Sequence, residues 1–122
     1  MDNTEFQKAS SLLRHGKFKE LHELLNQPDC AISVDHTDEH GNTLLHISAQ
    51  NGNKRMVKLC LRYGAHIDAR NNNGQTALHF AVGYGFQGLG EYLVQKGADD
   101  SLRNRFGLTC YEGLREDSVK RL

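Results

Sequence analysis

Gly41-Asn42-Thr43-Leu44-Leu45-His46 returns as Gly74-Gln75-Thr76-Ala77-Leu78-His79, and again, with its last residues changed, as Gly107-Leu108-Thr109-Cys110-Tyr111-Glu112. Each copy begins 33 positions after the one before. Two further tracks keep the same step: Tyr63-Gly64-Ala65 returns as Lys96-Gly97-Ala98, and Gly52 returns as Gly85. Independent tracks at one offset mark a tandem repeat, not a bias of composition. The first forty residues hold a weaker copy, in which Arg14-His15-Gly16-Lys17 matches Gln50-Asn51-Gly52-Asn53 at a step of 36. The three additional residues fall near Pro28-Asp29-Cys30, where a loop absorbs an insertion at small entropic cost.

Each copy reads as helix, short turn, helix, long loop. Thr43, Thr76 and Thr109 stand where an N-cap hydroxyl accepts from an orphan N–H of the first turn. Apolar residues then recur at helical spacing: Leu45 and Ala49, followed by Met56, Val57, Cys60 and Leu61. Gly52 and Gly85 separate the paired helices, and Gly64 and Gly97 end the second of each pair, glycine being the residue that enters a left-handed conformation at least cost. The loop 65–73 is rich in Asn, as a reverse turn requires. Gly88 and Gly90 fall inside the second helix of the third copy and predict that it is the softest internal one.

Composition narrows the class. The chain has 122 residues, the size of one domain. Fifteen Lys and Arg balance fifteen Asp and Glu, so no net field draws the protein to nucleic acid or an anionic membrane. The mean hydropathy is −0.62, and no apolar run approaches the roughly 18 residues of a membrane span. The opening MDNTEFQKAS has polar and acidic residues where a signal peptide needs a basic start and an apolar stretch. Three widely spaced Cys argue against a disulfide framework and fit a reducing compartment. The expectation is a small helical protein of the cytoplasm, the nucleus or both.

The repeated residues resemble the ankyrin repeat, whose pattern runs G-x-T-P-L-H-x-A-A-x-x-G, then a mixed stretch, then V-x-x-L-L-x-x-G-A-D. The match spans about residues 4–115. The resemblance implies an all-α solenoid of stacked helix-turn-helix units with hairpin-like loops. Its units would be an N-terminal cap repeat at 4–40, internal repeats at 41–73 and 74–106, and a truncated C-terminal cap at 107–122. Departures are local. Leu44, Ala77 and Cys110 replace a Pro that is favourable at the first helical position but not required. Glu112 replaces His, which makes Thr109-x-x-Glu112 a capping box. The first copy lacks the Thr-x-x-His run, so both end copies read as the caps that a solenoid needs. The resemblance also implies structural roles for Thr43, His46, Gly52, Gly64, Thr76, His79, Gly85, Gly97, Thr109 and Glu112. The two histidine rings are expected to bridge a helix start and the backbone of the next repeat.

In such a stack Leu45, Ala49, Val57, Cys60 and Leu61 face Leu78, Ala81, Leu89, Leu93 and Val94 across one interface. Leu12, Leu13, Phe18, Leu21, Leu24 and Leu25 cover the other side of the second copy.

Catalytic and ligand motifs lose their force in this frame. Gly83-Tyr84-Gly85-Phe86-Gln87-Gly88 spells G-x-G-x-x-G, but a dinucleotide site needs a preceding strand and an acid about 20 residues on. Arg103, Asn104 and Arg105 stand there instead. Cys30, His36, His40 and His46 have zinc-ligand residue types, yet His36 and His40 belong to a loop expected in solvent, so no metal is predicted. Cys60 reads as a small core residue. Cys110 follows an N-cap, where a thiolate is favoured, though replacement of the missing Pro is the favoured account. Asp99-Asp100 matches the Gly-Ala-Asp turn. No catalytic residue and no cofactor is expected, and the chain reads as a non-enzyme.

The resemblance implies a partner face on the concave side, made of loop tips and first helices. The matching positions are Glu39, His40, Asn42, Gln50 and Asn51, then Asn72, Asn73, Gln75, Gly83 and Tyr84, then Arg105, Phe106 and Leu108. Tyr84, Phe106 and Leu108 are apolar where solvent favours polar groups, and aromatics and Arg are enriched at interface hot spots. The expected partner is another protein, with no small-molecule substrate, bound by a monomer. The alternative is a nucleic-acid or anionic-lipid surface on the basic run Lys54, Arg55, Lys58, Arg62 and Arg70, opposed only by Asp68. Its plainer reading is a solvated helix face.

Overall fold

The computed structural model describes residues 4–27 and 34–112. These form α1 (Thr4–Arg14), α2 (Phe18–Leu25), α3 (Leu44–Gln50), α4 (Lys54–Arg62), α5 (Ala77–Gly83) and α6 (Gln87–Gln95). A further helix starts at Cys110. There is no strand among the described residues, and no helix there is long and apolar enough to cross a membrane.

Helices pair along the chain, α1 with α2, α3 with α4 and α5 with α6. The pairs then stack. α3 lies between α1 and α5, and α2 packs on α4. This is the all-helical stack that the period predicts.

The helix starts follow from local chemistry. The Thr43 and Thr76 hydroxyls accept the N–H groups of His46 and His79 at 3.3 and 3.2 Å. Asn53 caps α4 through Oδ1, which accepts the Met56 N–H at 3.1 Å. α6 has no such help, since its N-cap residue is Phe86, which makes no side-chain cap bond.

The core is a line of interfaces. Every residue of α3 from Leu44 to Ala49 is buried, because this helix has a neighbouring repeat on both sides. Met56, Val57, Leu59 and Cys60 seal α3 from the outer layer, as Leu89 and Leu93 do for α5. Leu13, Leu21, Leu24 and Leu25 close the N-terminal side, while Leu12, Phe18 and Leu61 are half-buried against it. Val94 departs from expectation. It is 39% exposed and lines an open groove of about 630 Å³ with Leu78, Val82 and Tyr111. Its side chain faces the groove shared with Tyr111 of the following repeat.

Gly41 and Gly52 are required by packing as well as by conformation, Gly41 because a Cβ there would meet the Asn72 backbone N at 2.8 Å. Gly52 has φ +67°, and a Cβ built there would sit 2.6 Å from the Phe86 ring of the next repeat.

Candidate functional site

Three loop tips repeat one bonding scheme. Asp38, Asn71 and Asn104 each hold a tip with a single side-chain oxygen. Asp38 Oδ1 accepts the N–H groups of His40 and Asn42, both at 2.9 Å. Asn71 Oδ1 accepts those of Asn73 and Gln75 at 2.9 Å, and Asn104 Oδ1 those of Phe106 and Leu108 at 2.9 and 3.1 Å. Backbone bonds close the same turns: Asp38 to Asn42, Asn71 to Gln75, Asn104 to Leu108. The sequence reading missed these three residues. Their signal was present, an Asp or Asn three positions before each of Gly41, Gly74 and Gly107.

Neighbouring tips are also joined to one another. The Asn72 N–H donates to the His40 carbonyl at 3.0 Å, and the Arg105 N–H to the Asn73 carbonyl at 2.8 Å. Asn72 Nδ2 donates to the Glu39 carbonyl at 3.0 Å, Asn71 Nδ2 to Asn42 Oδ1 at 2.9 Å, and Arg105 Nη1 to Asn73 Oδ1 at 3.0 Å. The row 39–40, 72–73, 105–106 is therefore one connected edge.

Beneath the tips sit the two histidines. His46 Nδ1 accepts the Thr43 N–H at 3.1 Å, so the ring proton is on Nε2, which donates to the Gln75 carbonyl at 2.8 Å. His79 repeats this with Thr76 at 3.2 Å and the Leu108 carbonyl at 3.0 Å. Burial lowers both pKa values, because a protonated imidazole would lose its water and turn a second N–H toward a donor. In the last copy a carboxylate takes over. Glu112 Oε1 accepts the Thr109 N–H at 2.9 Å and pairs with Arg103 Nη1 at 3.0 Å.

Two large aromatics stand out from this frame. Tyr84 follows α5 and is 56% exposed. Its ring meets Phe80 edge-on at 6.1 Å, and its hydroxyl accepts from Gln50 Nε2 of α3 at 3.2 Å. Phe106, on the third tip, is 66% exposed, with the Arg105 guanidinium 5.3 Å from its ring centre.

Residues 8–104 match the family described as ankyrin repeats, in three copies. The chain is an ankyrin-repeat protein. Among its relatives, the Notch-regulated ankyrin repeat-containing protein of Xenopus laevis is 42% identical over 67 residues, which cover 54% of this chain and 56% of that protein. The Notch-regulated ankyrin repeat-containing protein B of Danio rerio is 44% identical over 61 residues, covering 49% and 52%. Protein fem-1 homolog A of Homo sapiens is 39% identical over 56 residues, 46% of this chain but 8% of that protein. The chain thus spans about half the length of the Notch-regulated relatives it matches.

Within this ankyrin stack the expected partner residues divide. Glu39, His40, Gln50, Asn51, Tyr84, Arg105 and Phe106 are exposed, as is Gly83. Asn72 and Asn73 are exposed, but their amide groups already bond the adjoining tips. Asn42, Gln75 and Leu108 are half-buried, the first bonded to Asn71 and the other two carrying the carbonyls or N–H groups of the histidine and tip bonds. The structure joins the tips to each other and Gln50 to Tyr84. No hydrogen bond links these two groups among the described residues.

The basic run of α4 is engaged with rings of adjacent repeats. The Arg55 guanidinium lies 3.8 Å from the Phe18 ring centre, and Lys54 and Lys58 lie over Tyr92 at 4.7 and 5.5 Å. Arg70 reaches the Arg103 carbonyl at 3.1 Å. These cations tie second helices and loops of successive ankyrin repeats together.

Residues 83–88 run from the end of α5 through the turn into α6, the setting of an inter-helix turn. No group of three or more His, Cys, Asp or Glu is placed to hold a metal among the described residues, and Cys30 lies outside them. Asp99 Oδ1 accepts from the Ser101 N–H and hydroxyl at 2.9 and 2.6 Å, whereas Asp100 Oδ2 accepts from the Tyr111 hydroxyl at 2.9 Å. The two acids serve different partners. For Cys110 the thiolate that an N-cap would favour is overruled, since burial and then the Asp100 charge push its thiol up to about 11. Burial does the same to Cys60, also to about 11.

Proposed function

We propose that the chain is a non-enzymatic protein-binding module that engages its partner through the concave side of the stack, the loop tips and first helices. One observation carries this reading: Tyr84 and Phe106 hold 56% and 66% of their surface in solvent. Tyr84 contacts Phe80 and Gln50, and Phe106 lies against the Arg105 guanidinium. Exposed aromatics and an arginine have the composition of an interface hot spot. The bonded row of tips supports the same reading, because a surface already ordered loses little entropy on binding. Ankyrin repeats are an interaction fold, and the names of the relatives describe repeat proteins regulated by Notch. We place the units at 4–40, 41–73, 74–106 and 107–122.

Base stacking on the basic face has less support. The Phe18 and Tyr92 rings that would receive bases carry cations on their faces.

The test is affinity capture from native lysate with wild type and a Tyr84→Ala/Phe106→Ala double variant, each checked for fold by circular dichroism. The variant is expected to lose a partner that wild type retains. Capture of the same set by both folded proteins would remove the concave patch from consideration.

A further inference from the structure

The outer face of the second helices gathers charge that lies outside the proposed partner surface. The ammonium groups of Lys54, Lys58 and Lys96 lie 4.7, 5.5 and 5.7 Å from the centre of one ring, that of Tyr92. Twice the longest of these distances bounds any pair at about 11 Å, close to the Debye length of about 10 Å in 0.1 M salt. The three charges therefore repel one another with incomplete screening. None of the ion pairs His40–Glu39, His66–Asp35 and Arg103–Glu112 involves this triad. Glu91, next to Tyr92, accepts from Gln87 at 3.5 Å and lines the groove with Leu78 and Val82.

A second cost lies in the helix itself. The first turn of α4 carries Lys54 and Arg55 and no acid, although the positive end of the helix dipole favours acids there. One half-buried ring, that of Tyr92, offers only modest attraction to a cation, and here three share it. Like charges gathered at one place despite their mutual repulsion are a pattern expected where a site serves binding.

We infer that Lys54, Lys58 and Lys96, gathered about Tyr92, form a binding site for a compact ligand with clustered phosphate groups, of the inositol polyphosphate class. Three ammoniums supply point charges and rotatable donors for several phosphate oxygens at once. The span of the triad fits two or three phosphates on one small ring better than an extended backbone. The ring face is occupied by cations, so an aromatic base finds no platform. The same phosphate chemistry occurs in a soluble ligand and in a lipid headgroup, and the experiment separates the two.

Inositol hexakisphosphate is titrated into the protein by calorimetry, with sodium sulfate at equal ionic strength as reference. A parallel arm measures sedimentation with vesicles containing phosphatidylinositol bisphosphate, against vesicles of phosphatidylserine at equal charge. Lys58→Gln/Lys96→Gln is compared with Lys8→Gln/Lys17→Gln, which removes the same charge from exposed lysines that face no ring. Saturable binding of the hexakisphosphate over sulfate is expected, weakened about two- to fivefold for each triad lysine removed, the range of an exposed ion pair. The control pair should leave it unchanged. Binding of bisphosphate vesicles over phosphatidylserine extends the site to headgroups, and its absence restricts the ligand to soluble polyphosphates. Equal loss in both double variants, or no binding beyond sulfate in either arm, overturns the inference. Amide shifts at residues 54, 58 and 96 locate the ligand without any substitution.

Discussion

The imidazole of His46 donates its Nε2–H to the Gln75 carbonyl oxygen at 2.8 Å, tying the helix start of one repeat to the loop tip of the next. The ring itself must be neutral, because Nδ1 accepts the Thr43 N–H and a proton there would break that second bond.

Stability should therefore fall with acid. The pKa of His46 is lowered by burial in the fold, while an unfolded histidine titrates near 6.5. Above about pH 6.5 both states are neutral and the contribution is fully present. As the pH falls below that value the unfolded chain takes up a proton that the folded ring refuses, and stability is lost until the folded pKa is reached. Urea unfolding between pH 7.5 and 5 should show stability falling with acid, at no more than about 1.4 kcal/mol per pH unit from His46, with a loss of the same sign from His79. His46→Gln should flatten the profile. An unchanged slope would mean that the ring titrates alike in both states.

Leu45 is 1% exposed in the helix that has neighbours on both sides. Leu45→Ala should cost more than about 2 kcal/mol by chemical denaturation, the sum of lost transfer and a residual cavity. A loss under about 0.5 kcal/mol belongs to surface positions and would contradict its place.

Gly52 and Gly85 separate strain from collision. Both have positive φ, +67° and +82°, but a Cβ meets the Phe86 ring at 2.6 Å in the first and nothing within 4 Å in the second. Each Ala carries the left-handed penalty of about 1–2 kcal/mol. Gly52→Ala must also displace the ring, adding at least about 1 kcal/mol. Equal unfolding free energies for the two variants would show that Phe86 is not lodged on Gly52.

α6 should open more readily than α4. It contains Gly88 and Gly90 and lacks a side-chain N-cap bond, whereas Asn53 caps α4. Amide exchange should be faster across residues 88–95 than across 55–62. Gly88→Ala, whose Cβ meets nothing within 4 Å, should stabilise by about 0.5–1 kcal/mol. Gly90→Ala should gain less, because its Cβ falls 3.2 Å from Val82 Cγ2. Equal protection in the two helices would refute the ranking.

The candidate site was only partly legible. Exposed Tyr84 and Phe106 stood out in the sequence because an apolar residue in a polar loop breaks a local pattern. Asn42, Asn72 and Asn73 did not betray that their amides bond the neighbouring tips, since an Asn suits solvent and a partner carbonyl equally well. Asp38, Asn71 and Asn104 kept the 33-residue step but were passed over, being ordinary turn residues in composition.

What the sequence determined by itself was the repeat, its period, the helix starts and the glycine stops. Each depends on residues a few positions apart, and a period writes the same local solution several times. Tertiary structure alone decided the rest. Lys54 and Lys58 on α4 and Lys96 at the C-cap of α6 come from different repeats and converge on Tyr92. Arg55 finds Phe18, Val94 turns to the open groove, and the Cys110 thiol is raised by its surroundings. Long side chains reach farther than the spacing between stacked helices, so their partners follow from how one repeat is set against the next. That setting is absent from the period, which says which residues are equivalent but not which ones touch.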